Sequence, residues 1–218
     1  MLTVEIVPEL MANLAELREM ARILGQDCVE HRTAIQNNDS QFHRRAFVRS
    51  VFAFIEGILY RMKETARHFG EAAATLSIGE LVALSQVSFE VNDKGEILSK
   101  TVYPKFLNNF KFVFTAYSKS FGSSFNIDYG RSGWLNLTAA VKVRDRLMHP
   151  KTTSDLEVTD KEVESTKKVF EWFLMSYFLA SLYTQKAIQQ KANSSAENVA
   201  DLNKKIAETE KELAQKGF

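Results

Sequence analysis

Cysteine is nearly absent from this 218-residue chain, with Cys28 the only one. A single thiol excludes an internal disulfide and any cysteine-rich metal site, and it fits a buried, reduced side chain in the cytoplasm. Proline (three) and glycine (nine) are also scarce. So few breakers over this length argue for long helices rather than many short strands. The first ten residues, MLTVEIVPEL, show neither the basic stretch nor the apolar stretch of a secretory signal. The longest uncharged apolar run, WFLMSYFLASLYTQ at 172–185, is too short for a bilayer and reads as a core helix, so no membrane partner is expected. Histidines 31, 43, 68 and 149 lack HExxH-type spacing, so neither a metal nor a cofactor is expected.

Charge of one sign is lacking overall, since the net charge is +1, but its distribution is uneven. Residues 1–96 carry a net charge of −4, residues 97–151 of +7 and residues 152–218 of −2. Clustered lysine and arginine are the usual footprint of a polyanion partner. The alternative is that folding lays the acids of the flanking segments alongside them.

Helical periodicity covers most of the chain. Leu10, Leu14, Leu17, Met20, Ala21 and Leu24 form one stripe, in a helix opening at Pro8 and running to QNNDS at 36–40. Asp39 or Ser40 can cap the next helix, whose apolar positions run from Phe47 to Met62. Arg45, Arg49, Phe52 and Glu56 make a further stripe on it, either a set of surface ion pairs or a charged working face. Capping boxes at Ser77–Glu80, Thr159–Glu162 and Ser194–Glu197 predict three helix starts, the last opening a separate C-terminal helix with a seam of Val199, Leu202, Ile206 and Leu213. Between 88 and 102 the period changes around NDKG, which predicts a small β-hairpin. A helix after Pro104 carries the aromatic stripe Phe106, Phe110, Phe114, Tyr117 and Phe121, read as core, with Phe112 on its lysine side. The loop 122–133 has no phosphate-loop pattern.

The densest chemistry lies in KVRDRLMHP, residues 142–150, at the end of a helix running from about Trp134 to Met148. Arg144 and His149 are five residues apart, which on an unbroken helix turns them about 140° from each other. Pro150 disfavours helix at the residue before it, so the helix is expected to end at or before His149 and release that side chain. Arginine binds phosphate in a planar fork, and histidine moves protons near neutral pH. Together they suit metal-independent cleavage of RNA, in which the 2′-OH is the nucleophile and the arginine stabilises charge on the phosphorane.

With a polar residue, Asp145, directly after the arginine, this R-x4-H pattern resembles the signature of the HEPN superfamily. The flanking HPKTTSDLEVTDKEVESTKKVFEWF and RRAFVRSVFAFIEGILYRMK resemble bacterial members of it, over roughly residues 40–185. The resemblance implies an all-α, up-and-down helical bundle that forms a homodimer, two copies of the motif facing each other in one RNA-cleaving cleft. Arg144 and His149 would be the catalytic pair and Asp145 would orient them. Arg45, Arg49, Arg146 and Lys151 are the expected RNA-contacting bases. Where a toxin subgroup has a tyrosine two residues after the histidine, this chain has Lys151. The expected organisation is a single domain over 1–218, with its core at about 40–185, the hairpin as an insertion and a helix at 195–216 as an appendage. The expected activity is a cytoplasmic endoribonuclease of a toxin–antitoxin or anti-phage defence system, with an antitoxin or defence partner. The alternative is a non-catalytic RNA- or protein-binding adaptor on the same bundle, in which Arg144 pairs with Glu56.

Overall fold

The computed structural model describes residues 6–130 and 132–215. Six α-helices follow one another: α1 (Ile6–Asn37), α2 (Gln41–Ala72), α3 (Ile78–Ser85), α4 (Phe106–Phe121), α5 (Ser132–Met148) and α6 (Asp160–Gln215). An antiparallel hairpin of β1 (Val87–Val91) and β2 (Ile97–Thr101) stands between α3 and α4, with Val87 opposite Thr101 and Val91 opposite Ile97. The chain is thus a helical bundle with a small hairpin, as its breaker-poor composition predicts. No described helix is long and apolar enough to cross a membrane.

α2 is the central column. It is buried from Phe47 to Gly70 on the sides facing α1, α4 and α6. Ser40, not Asp39, caps it, accepting a hydrogen bond from the His43 amide. α1 runs antiparallel to α2 and crosses it closely at Gly57, where a Cβ would come within 2.9 Å of Leu24. Phe52 meets Phe106 and Phe69 stacks on Phe121, so α2 and α4 run parallel. The return leg between them is α3 and the segment after it. The aromatic stripe of α4 enters the core, where Phe110 and Phe114 pack on Phe173. Phe112 packs against the same core. Phe110, Phe114 and Phe173 are buried, and each contributes roughly 1.5–3 kcal/mol, whereas Phe112 is only partly covered. Cys28 is fully buried, and burial pushes its thiol up to about 12, which keeps it a protonated apolar group.

α5 lies antiparallel on α6. Gly133 packs so close to the Trp172 indole that a Cβ would fall 2.3 Å from it. Two of the three expected capping boxes form. Ser77 and Glu80 cap α3 reciprocally, and Thr159 and Glu162 hydrogen-bond reciprocally at the start of α6. The third does not. α6 continues unbroken through 194–197, and Ser195 Oγ donates back to the Lys191 carbonyl. No glycine or proline interrupts that stretch, and a helical serine can satisfy itself on the carbonyl four residues earlier. The expected C-terminal helix is therefore the far half of α6. Its expected seam of Val199, Leu202, Ile206 and Leu213 lies outside the described side chains.

The candidate site at the end of α5

α5 ends at Met148, one residue before His149, as Pro150 leads one to expect. The His149 amide still donates to the Asp145 carbonyl at 3.0 Å. Proline removes its own N–H, the donor that would have bonded residue 146, and leaves that of residue 149 in place. His149 therefore follows directly on the last turn of α5, where the helical path places it about 140° around the axis from Arg144. On that circle it shares a face with Lys142, seven residues earlier. Both are exposed, and neither side chain has a hydrogen bond or ion pair among the described residues.

Arg144 points the other way, onto α2. Its guanidinium pairs with Glu56 and, at 2.8 Å, with its neighbour Asp145. It also lies about 6 Å from the rings of Phe52 and Phe106. Burial works against its charge, but the Asp145 and Glu56 carboxylates outweigh burial and hold its pKa above the ordinary arginine value. The α2 stripe read from the sequence is thus the face that receives α5. Arg49 donates to the Leu147 carbonyl at 3.3 Å, two residues before His149. Arg45 reaches the Leu156 carbonyl at 3.2 Å.

The link from α5 to α6 is held from several sides. Arg146 pairs with Glu162 at 2.9 Å and donates to the carbonyls of Asp155 and Glu157. Gln41 and Val158 hydrogen-bond reciprocally, and Arg44 adds a bond to the Val158 carbonyl. Asp155 accepts from the Lys151 and Thr152 amides, closing a 3₁₀ turn at Thr153–Leu156. These backbone hydrogen bonds hold the Asp155 carboxyl below its ordinary range. Arg146 and Arg45, two of the expected RNA-contacting bases, are therefore engaged in fixing this link. Arg49 and the side chain of Lys151 remain exposed beside His149.

The chain thus brings Arg144, Asp145 and Glu56 together on the α2 side, and Lys142 and His149 on the outward side, with Arg49 at the helix end. Among the described residues no cluster of three His, Cys, Asp or Glu side chains could hold a metal ion. The sequence reading missed the pocket beside Arg144, between α2, the end of α3 and the start of α4. Its polar walls are Glu56, Lys63, Gln86 and Asn109. Its only sequence signal is a lysine on the buried side of α2.

Comparison with protein-family models, with curated proteins and with solved structures finds no match to this chain.

Proposed function

We propose that the protein is a metal-independent endoribonuclease of the HEPN type, acting in the cytoplasm as a homodimer in a toxin–antitoxin or anti-phage defence system. The observation that carries this reading is the end of α5. An exposed imidazole without a partner among the described residues, His149, lies two turns along from the exposed Lys142, two residues after the carbonyl that the exposed Arg49 holds, and five residues from Arg144. In the reaction His149 takes the proton of a ribose 2′-OH. The 2′ oxygen attacks phosphorus, and the P–O5′ bond breaks. A protonated imidazole, that of the second copy's His149, gives its proton to the departing 5′ oxygen. The products are a 2′,3′-cyclic phosphate and a 5′-OH end. Arg144 stabilises the phosphorane charge, and Asp145, which bonds its guanidinium, positions it. The 140° between Arg144 and His149 suits a site completed by two copies, each giving one group to one phosphate.

One observation favours a second reading, a non-catalytic RNA- or protein-binding module. Arg144 is already engaged by two carboxylates, as a structural ion pair would be.

The deciding experiment is incubation with total RNA in EDTA. The endoribonuclease leaves 2′,3′-cyclic phosphate ends, and His149→Ala abolishes them. RNA bound by wild type and His149→Ala alike, with no cleavage by either, establishes the binding module instead.

A further inference from the structure

Beside Arg144 lies a small open pocket of about 100 Å³, lined by Phe106 and Tyr60. Its polar walls have unusual features. Lys63 is more than nine-tenths buried, and its ammonium donates to Gln86 Oε1 at 3.1 Å. An ammonium has only donors, so it fixes the Gln86 amide with its oxygen turned toward Lys63 and its NH₂ left over. Gln86 is also one of two described non-glycine residues with positive φ, at 55°. Its amide bonds the Ala83 carbonyl, and its carbonyl accepts from Val102 where the hairpin ends. A side chain kept at a position that favours glycine points to a use for that side chain. On the α4 side the half-buried Asn109 carboxamide has no partner among the described residues, and neither has the Tyr60 hydroxyl.

Charge does not line this pocket unbalanced. Lys63 is offset by Glu64 at 3.6 Å and by the Tyr60 ring at 4.9 Å, and Glu56 is held by Arg144. Such a pocket suits a flat, neutral ligand with hydrogen-bonding edges, recognised by aromatic faces and carboxamides. Two of its walls also border the Arg144 guanidinium: Glu56 pairs with it, and the centre of the Phe106 ring lies 5.9 Å from it. A base seated here therefore leads its own sugar and phosphate to Arg144.

We infer that this pocket takes one unpaired nucleobase of the RNA, with Tyr60 and Phe106 stacking on it and Gln86 and Asn109 reading its edge, and so sets which nucleotide lies next to the cleaved bond. The inference rests on the endoribonuclease reading for the last clause only. The test uses the full-length protein and its Asn109→Ala and Tyr60→Ala variants. Asn109→Ala removes no hydrogen bond of the fold, and Tyr60 is 54% exposed, so both variants fold. Uridine, cytidine, adenosine, guanosine and, separately, inorganic phosphate are titrated while the side-chain amide resonances of Gln86 and Asn109 are followed by NMR. Cleavage sites in a mixed-sequence single-stranded RNA are mapped in parallel.

At least one nucleoside is expected to shift the Gln86 and Asn109 amides, and phosphate alone is not. Asn109→Ala should weaken that nucleoside roughly tenfold and flatten the nucleotide preference at the cut. The inference is overturned if no nucleoside moves these resonances, if phosphate alone moves them equally, or if Asn109→Ala and Tyr60→Ala keep the wild-type preference. Nucleoside binding without any RNA cleavage upholds the pocket and removes the endoribonuclease. Cleavage with an unchanged preference does the reverse.

Discussion

Replacing Arg144 by alanine separates a residue that handles phosphate from one that only holds the fold. The pairs it would lose are partly wet: the side chains of Arg144, Glu56 and Asp145 are 27%, 42% and 54% exposed. Ion pairs at such exposure contribute about 0.2–1 kcal/mol each. The contacts with Phe52 and Phe106, at about 6 Å, lie at the outer limit of cation–π attraction and add roughly 0.5 kcal/mol. The total is about 1–2 kcal/mol, or a fall in Tm of about 2–8 °C for a chain of this length. A group that stabilises the phosphorane contributes far more to the rate, about 10²–10³-fold. Arg144→Ala should therefore cut RNA cleavage in EDTA by at least a hundredfold while melting only a few degrees early, followed by circular dichroism. Glu56→Gln is the counterpart. Glu56 competes with phosphate for the same guanidinium, so its neutralisation should tighten RNA binding by about two- to fivefold. Unchanged cleavage in Arg144→Ala, or a fall in Tm well above 10 °C with RNA binding untouched in Glu56→Gln, would refute the reasoning and leave Arg144 as a structural ion pair.

Arg146 carries the opposite expectation. Arg146→Ala removes the Glu162 pair and strands the Asp155 and Glu157 carbonyls, costing about 2 kcal/mol. Hydrogen exchange should then speed up across 151–159 but not in the middle of α2, and exchange that rises uniformly would show no local role. Stability should also fall on acidification through Glu80. Its hydrogen bonds to Lys119 and Ser77 lower its pKa to about 2, so the stabilisation is present above about pH 4.5 and is lost as pH falls toward 2. After screening this amounts to roughly 1 kcal/mol, and urea unfolding at pH 3 and pH 6 should lose that part of its pH dependence in Glu80→Gln. An undiminished dependence in that variant would discharge Glu80 of the role. RNA binding through Arg49, Lys142 and Lys151 would give a log–log salt slope of about −2, and Lys142→Ala should reduce it by about 0.7. A slope unmoved by Lys142→Ala would place the RNA elsewhere.

The elements were legible where local chemistry decides them. Ser77 and Glu80, and Thr159 and Glu162, sit at the required spacing and make the bonds that spacing implies. The Arg45, Arg49, Phe52 and Glu56 stripe was visible as a face, and its alternative reading, that Glu56 takes Arg144, is the arrangement found in the structure. Ser194–Glu197 has the same signature but lies inside a helix that nothing interrupts, because a capping box stabilises a start only where the preceding turn is unfavourable. The end of α5 just before His149 was legible from Pro150, although the His149 amide keeps its bond to the Asp145 carbonyl, since proline deletes its own donor and not that of its predecessor. The Lys63, Gln86 and Asn109 pocket left only one trace in the sequence, a lysine on the buried side of α2. Its parts are 23 residues apart from Gln86 to Asn109 and from Lys63 to Gln86, and only the return of the chain along α2 brings them together.

The fate of the basic segment 97–151 sharpens what the charge pattern means. Lys119 is taken up by Glu80, Arg144 by Glu56 and Asp145, and Arg146 by Glu162, while Lys111 lies over the Tyr129 and Trp134 rings. Most of these partners come from the acidic flanks, so a large part of the excess read from the sequence is cancelled within the fold. Lys100, Lys105, Lys142 and Lys151 have no carboxylate partner among the described residues. Three of these four lie near the candidate site. Lys105 immediately precedes Phe106 at the pocket, and Lys142 and Lys151 flank His149, where Arg49 adds a fourth exposed cation. A polyanion would therefore meet little net field over the molecule as a whole, and what it met would be concentrated around Arg144 and His149. That favours a short stretch of single-stranded RNA, held by a few phosphates and one base, over a long duplex held by a broad basic surface.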